Sequence, residues 1–147
     1  MSDQLNLIAT TAFGLEALTK RELMGLGYPA EIIAPGWIRF RGGQEAICRA
    51  NLWLRTADRV LIEVETFGAS DFDTLFETTK QVAWGRWIPV DGRFPVDGRS
   101  IKSQLSSVPA VQRAVKKAIL DKLRATYKTI ALTARCSAVQ PTLGLLN

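Results

Sequence analysis

The sequence predicts an α+β fold built from two successive units. Residues 4–66 alternate strand-like and helix-like segments, and a second set of segments after residue 68 ends in a long amphipathic helix. The charge also changes along the chain: residues 1–84 contain 8 Lys or Arg against 11 Asp or Glu, whereas residues 85–147 contain 11 against 3. The 147 residues, 47% hydrophobic and 22% charged, suffice for one ordinary domain or two small ones.

The first unit is predicted from alternating periodicities. The pattern indicates strands over 4–11, 31–33, 37–41 and 60–67, and helices over 15–26 and 44–55. This βαββαβ order is the split βαβ, or ferredoxin-like, arrangement, and we assign it to residues 1–67. In the second helix, Cys48 is predicted to be a small buried hydrophobe and Trp53 to belong to the core.

The second unit, residues 68–147, is predicted to begin with a helix over 71–82. Asp71 and Asp73 fall at the start of this helix, where carboxylates favour the helix dipole, so we interpret them as structural rather than catalytic. Trp84 and Trp87 follow among apolar residues, which favours burial over stacking on unpaired bases. A short strand is predicted over 94–102.

A basic amphipathic helix is predicted over 108–127, with Ser107 at its N-cap and a proline in its first turn. At 100° per residue, cations gather on one face, opposite Val111 and Val115. The face comprises Arg113, Lys116, Lys117 and Arg124. Such a stripe is more often only the solvated face of a helix, but Arg99 and Lys102 precede it and only Asp121 opposes the positive charge between residues 99 and 135. We therefore predict that these six cations contact the phosphate backbone of a nucleic acid.

Several classes of function are excluded by composition. The chain has no histidine, which removes Ser/His/Asp and Cys/His mechanisms, and its two cysteines form no metal-binding pattern. We predict no catalytic residue, no metal ligand and no cofactor-binding residue. The sequence also has no apolar run long enough for a membrane span and no secretory signal, so we expect a cytoplasmic protein without a membrane partner.

Three stretches resemble a known family when taken together. ATTAFGLEALTKREL (9–23), ICRANLWLRTADRVLIEV (47–64) and GRSIKSQLSSVPAVQRAVKKAILDKL (98–123) resemble the N-terminal half of bacterial THUMP-containing large-subunit rRNA guanine-N2 methyltransferases. The resemblance implies a ferredoxin-like domain followed by a THUMP domain, which together grip structured RNA. It also implies that large-subunit rRNA is the partner and that the matching cations contact its backbone.

The resemblance stops after Leu123, and this departure shapes the functional prediction. In the family, further THUMP strands and a methyltransferase domain that binds S-adenosylmethionine follow, but no glycine-rich cofactor turn or Asn/Asp-Pro-Pro-Tyr sequence is present here. We therefore expect a truncated THUMP domain and no catalytic activity from this chain alone. The alternatives are a nonfunctional truncated or frameshifted remnant, or one half of a split methyltransferase whose catalytic domain is a separate polypeptide.

Overall fold

A computed structural model describes residues 4–98 and 105–127 of the chain. The chain divides into two compact units, an N-terminal unit Met1–Val64 and a C-terminal unit Glu65–Asn147. Strands and helices both occur, which confirms the α+β prediction.

The N-terminal unit is a four-stranded antiparallel sheet with two helices. Its elements, in chain order, are β1 (Leu5–Thr11), α1 (Glu16–Gly25), β2 (Ala30–Ala34), β3 (Trp37–Gly42), α2 (Gln44–Trp53) and β4 (Ala57–Ile62). The strand order is β2-β3-β1-β4, with Leu5 opposite Gly42 in β3 and Leu7 opposite Ile62 in β4. The predicted ferredoxin-like βαββαβ arrangement is thereby confirmed.

The core of this unit combines alternate residues of the central strands with one face of each helix. The buried cluster consists of Leu7, Ala9, Leu23, Ile38, Phe40, Ala46 and Ala50. Pro35 and Gly36 join β2 to β3, and Gly36 has φ +77°, a conformation that favours glycine. A Cβ at Gly36 would lie 2.7 Å from the carbonyl oxygen of Thr11, so the close approach of the turn to β1 also requires glycine.

Three sequence-based predictions in this unit are wrong in detail. The last strand was predicted over 60–67, but β4 ends at Ile62. Its partner strand β1 begins at Leu5, so little of β1 remains to pair with residues beyond Ile62. The Glu63 amide still donates to the Asn6 carbonyl oxygen, and pairing ends there. Cys48 is exposed, since it lies about 200° around α2 from the buried Ala46. Trp53 is 65% exposed because it is the last residue of α2, where the helix ends.

The C-terminal unit consists of helices in its described part, residues 65–98 and 105–127. Its elements are α3 (Phe72–Gln81), a 3₁₀ turn (Trp84–Arg86) and α4 (Val108–Tyr127). The helices confirm the predictions over 71–82 and 108–127. The strand predicted over 94–102 is absent from residues 94–98, where Pro95 cannot donate to a sheet ladder, and the remainder lies outside the described residues.

Residues from α3, the 3₁₀ turn and α4 are buried together with the connecting segments of this unit. Leu75 and Thr79 of α3 are fully buried, and Trp84 is 2% exposed, which confirms that Trp84 is a core residue. The Trp84 indole Nε1 donates to the Thr79 carbonyl oxygen at 2.7 Å, so the buried nitrogen has a partner. No helix in the described ranges is long and apolar enough to cross a membrane.

Candidate nucleic-acid interface

The helix α4 has a buried apolar face and a basic face. Val111, Val115, Ala118, Ile119 and Leu123 are all buried, at spacings of three, four and one residues that define one side of the helix. These contacts hold α4 within its unit. The opposite side is therefore fixed in orientation and available to solvent.

Three cations lie on this exposed side of α4. Arg113, Lys117 and Arg124 are exposed, and they follow one another at i, i+4 and i+11, close to a single line along the helix. The Arg113 Nε donates to the Pro109 carbonyl oxygen at 3.2 Å, a bond that does not use the two terminal guanidinium nitrogens. None of the three forms an ion pair within the described part of the chain.

Two further lysines of α4 are less accessible. Lys116 is half-buried at the edge of the basic face, and Lys122, which sequence analysis left out of the site, is also half-buried. Arg99 and Lys102, the other two cations predicted to bind nucleic acid, lie outside the described residues. The structure thus gathers four of the six predicted cations on one helix.

One cation was missed by sequence analysis because it belongs to the neighbouring helix α3. The Lys80 Nζ lies 5.7 Å from the centroid of the Phe76 ring, and the Lys117 Nζ lies 5.8 Å from the same centroid. Both distances are within the range of cation–π interaction. The i, i+4 spacing of Phe76 and Lys80 was visible in the sequence, but the approach of Lys117 from α4 was not.

The C-terminal end of α4 is tied to the 3₁₀ turn. The Tyr127 hydroxyl lies 2.8 Å from the Ile88 carbonyl oxygen and 3.1 Å from that of Gly85, and it can donate to either. Beside this contact, the Arg86 guanidinium lies 5.4 Å from the ring centroid of the half-buried Trp87. The Tyr127 hydrogen bond holds the last turn of α4, and with it the backbone of Arg124, in place.

The perturbed carboxylates have structural partners. Asp71 is the N-cap of α3, and hydrogen bonds from the Thr74 amide at 2.7 Å and hydroxyl at 2.9 Å lower the pKa of Asp71 below its ordinary value. In the N-terminal unit, burial acts to raise the pKa of Glu22. Hydrogen bonds from the Arg55 amide and from the Thr56 hydroxyl and amide outweigh it, so the pKa is lowered. Both carboxylates accept hydrogen bonds that fix the local backbone.

The glycine-rich turn of the N-terminal unit does not fit the anionic group of a cofactor such as S-adenosylmethionine. The Gly42–Gly43 turn before α2 is filled by the protein itself: a Cβ at Gly42 would clash with the Ala46 side chain, and the Glu45 carboxylate accepts from the Gly43 amide at 3.2 Å. The helix start is thus closed to a cofactor's anionic group. No group of three or more metal-ligating side chains occurs in the ranges that the structure describes.

Comparison with known proteins identifies both units. Residues 6–61 match the RlmL ferredoxin-like domain, and residues 69–132 match the THUMP domain. The chain is an RlmL-type ferredoxin-like domain followed by a THUMP domain. The resemblance to the N-terminal part of THUMP-containing rRNA methyltransferases is thereby confirmed, and the basic face of α4 lies within the residues that match the THUMP domain.

Individual relatives place both domains within longer methyltransferases. "Putative RNA methyltransferase YpsC" of Bacillus subtilis is 52% identical over 80% of this chain, and "Ribosomal RNA large subunit methyltransferase K/L" of Methylococcus capsulatus is 33% identical over 79%. A solved "predicted N6-adenine-specific DNA methylase" from Listeria monocytogenes matches 86% of the chain with a TM-score of 0.82 and 48% identity. A structure of "a putative methyltransferase complexed with SAH" matches 87% with a TM-score of 0.80 and 39% identity.

The matched region is a minor part of each relative. The chain spans 30% of the Bacillus protein and 16% of the Methylococcus protein, and 33% and 34% of the two solved chains. The ferredoxin-like and THUMP domains are therefore what this chain shares with the methyltransferases.

Proposed function

We propose that this chain binds structured RNA through the basic face of α4 and positions large-subunit rRNA for methylation. The observation that carries the proposal is the arrangement of Arg113, Lys117 and Arg124, which are exposed, aligned along one helix and free of ion pairs within the described residues. A helix anchored by its opposite face can present such a row to successive phosphates. Lys116 extends the row at its edge, and Arg99 and Lys102 complete the proposed set.

The relatives support the proposed partner and chemistry. The Methylococcus relative is named for large-subunit rRNA, and one solved relative is complexed with SAH, which is the product that S-adenosylmethionine leaves after methyl transfer. We propose that S-adenosylmethionine and the transfer to a guanine N2 amine belong to a methyltransferase domain distinct from the residues described. The proposed domain limits are 1–67 and 68–147, and the proposed location is the cytoplasm.

Binding across a salt series tests the RNA-binding function. The full chain is titrated against a fluorescently labelled RNA stem–loop and against a DNA hairpin of the same sequence. The variant R113A/K116A/K117A removes three cations from α4. If each contacts one phosphate, the slope of log K against log salt falls by about 2–2.7, and affinity at 0.15 M salt falls by about 50- to 170-fold.

A matched variant controls for net charge. R21A/R41A/R49A also removes three exposed cations, but from the N-terminal unit, so both variants change the net charge from +5 by the same amount. We expect the control to bind nearly as the wild type. Equal losses in both variants, or a flat salt dependence of the wild type, would contradict RNA binding by α4. Stronger binding to the DNA hairpin would favour a DNA substrate, as in the name of the Listeria relative.

A second candidate function is one half of a split methyltransferase. The chain covers 30% of the Bacillus relative and 33% of the Listeria chain, and both of these are named as methyltransferases or methylases. A catalytic domain on a separate polypeptide is therefore worth testing. Co-purification with a separate methyltransferase domain, followed by transfer of a labelled methyl group to rRNA, would support the split enzyme. Self-association without RNA binding would instead support a nonfunctional remnant.

A further inference from the structure

The ring of Phe76 brings together cations from two helices. Lys80 comes from the last turn of α3 and Lys117 from the middle of α4, and both ammonium nitrogens lie within 6 Å of the same ring centroid, at 5.7 and 5.8 Å. Phe76 and Lys80 are half-buried, whereas Lys117 is exposed. The basic surface of the THUMP domain therefore does not stop at α4.

Neither lysine is neutralised by the acids near it. Glu77 precedes Lys80 by three residues and Asp121 follows Lys117 by four, both spacings that permit ion pairs on a helix. Neither pair forms in the described part of the chain. Two like charges thus face one aromatic ring without a counterion from these acids.

The contact with the ring leaves the ammonium donors available. The attraction of an ammonium group to a ring face is electrostatic and does not consume an N–H donor in a conventional hydrogen bond. Each lysine can therefore be held by Phe76 and still donate to an anionic oxygen. An anion bound by both lysines would also offset any repulsion between them.

A purely structural role explains only one of the two lysines. Lys80 lies in the last turn of α3, where a positive charge favours the negative end of the helix dipole. Lys117 lies in the middle of α4, ten residues before the end of that helix, so the dipole does not account for its position beside Phe76.

We propose that Lys80 and Lys117, positioned by Phe76, form a binding site for RNA backbone phosphate, so that the RNA surface extends from α4 onto α3. This inference rests on the proposed RNA-binding function. It adds a residue that lies outside the basic helix, on a helix whose other charged residues are acidic. Because Lys117 is also part of the row on α4, the α3 contact continues the same path of phosphates.

The test compares single-charge variants of the full chain by titration with the labelled RNA stem–loop. K80Q and K117Q should each lower the slope of log K against log salt by about 0.7–0.9 and weaken binding at 0.15 M salt by about four- to sixfold. K80R keeps the charge and should bind as the wild type. R49Q is the matched control, because Arg49 also lies over a ring, 5.6 Å from the Tyr28 centroid, but in the N-terminal unit.

The outcomes separate this site from the general function. If K117Q weakens binding while K80Q and R49Q both match the wild type, the α3 site is overturned and RNA binding by α4 stands. If K80Q and K80R weaken binding equally and both lose helical circular dichroism, Lys80 acts through folding and the site is again overturned. If the wild type does not bind the RNA, the proposed function and this site fail together.

Discussion

The two fully buried threonines among the described residues predict opposite responses to the same substitution. Thr79 of α3 and Thr19 of α1 are each 0% exposed, but their hydroxyls differ. The Thr19 Oγ1 lies 2.7 Å from the Thr56 Oγ1 and 3.2 Å from the Leu15 carbonyl oxygen. The Thr79 Oγ1 is buried without a hydrogen-bond partner. Valine replaces the hydroxyl by a methyl group of almost the same shape, so each substitution measures what the hydroxyl contributes to the free energy of unfolding.

The expected magnitudes follow from these contacts. A buried hydroxyl without a partner costs roughly 1–3 kcal/mol, so Thr79→Val should raise the free energy of unfolding by about 1 kcal/mol. Thr19→Val removes hydrogen bonds with a net value of about 0.5–1.5 kcal/mol each, so it should lower the free energy of unfolding by about 1–2 kcal/mol. Threonine and valine have similar helix propensities, which contribute little to the difference.

Denaturant unfolding with hydrogen exchange measures both effects. The midpoint should shift up for Thr79→Val and down for Thr19→Val at constant m-value, and exchange should assign each change to its own unit. For a unit of this size, about 1 kcal/mol corresponds to roughly 4–8 °C in Tm. Destabilisation by Thr79→Val as large as that by Thr19→Val would show that the Thr79 hydroxyl has a partner in solution and would refute the reasoning.

Three further predictions concern single side chains. Trp84→Phe should lower the free energy of unfolding by about 1.5–2.5 kcal/mol, through a lost hydrogen bond and a small cavity, whereas Trp53→Phe should change it by less than about 0.5 kcal/mol. Equal effects in denaturant titrations would contradict this. Asp71→Ala should cost about 1 kcal/mol by the same measurement, because the Thr74 amide loses its cap; no loss would show the cap to be dispensable. The lowered pKa of Glu22 implies stability that is present above its ordinary pKa of 4.5 and lost as the pH falls through the lower folded value. Glu22→Gln should flatten that acid-side dependence, and an unchanged pH profile of unfolding would reject the role.

Local patterns were sufficient to predict the order of elements but not the limits of burial. The alternation of periods gave all four strands and both helices of the N-terminal unit. Trp53 lies within about 60° of the buried Ala46 and Ala50 around α2, yet it is exposed. The helical phase of a residue gives the direction of its side chain around the helix, but it does not tell whether another element packs against that side chain. β4 was displaced for a related reason, since its end depends on where β1 begins.

The candidate site shows the same division between local and tertiary information. The stripe of Arg113, Lys117 and Arg124 was predicted from helical spacing alone, because one periodic helix determines which residues share a face. Lys80 was missed, because its relation to Lys117 exists only once α3 packs beside α4 around Phe76. The sequence predicts side-chain pairs at i, i+4 within one helix, but it does not predict pairs between two helices.

The charge arrangement of α4 favours the proposed binding face over a merely solvated one. A helix surface that served stability alone would pair opposite charges at i, i+4, but Arg113 and Lys117 repeat the same sign at that spacing, which costs about 0.2–0.5 kcal/mol. Removing Lys117 relieves this repulsion but loses its contact with the Phe76 ring, worth roughly 0.5–1 kcal/mol, so the free energy of unfolding should fall by less than about 1 kcal/mol while RNA binding weakens. A variant that lost both in proportion would indicate that the row contributes to packing. A small change in stability beside a clear loss of affinity is the result expected if the row of cations binds a polyanion.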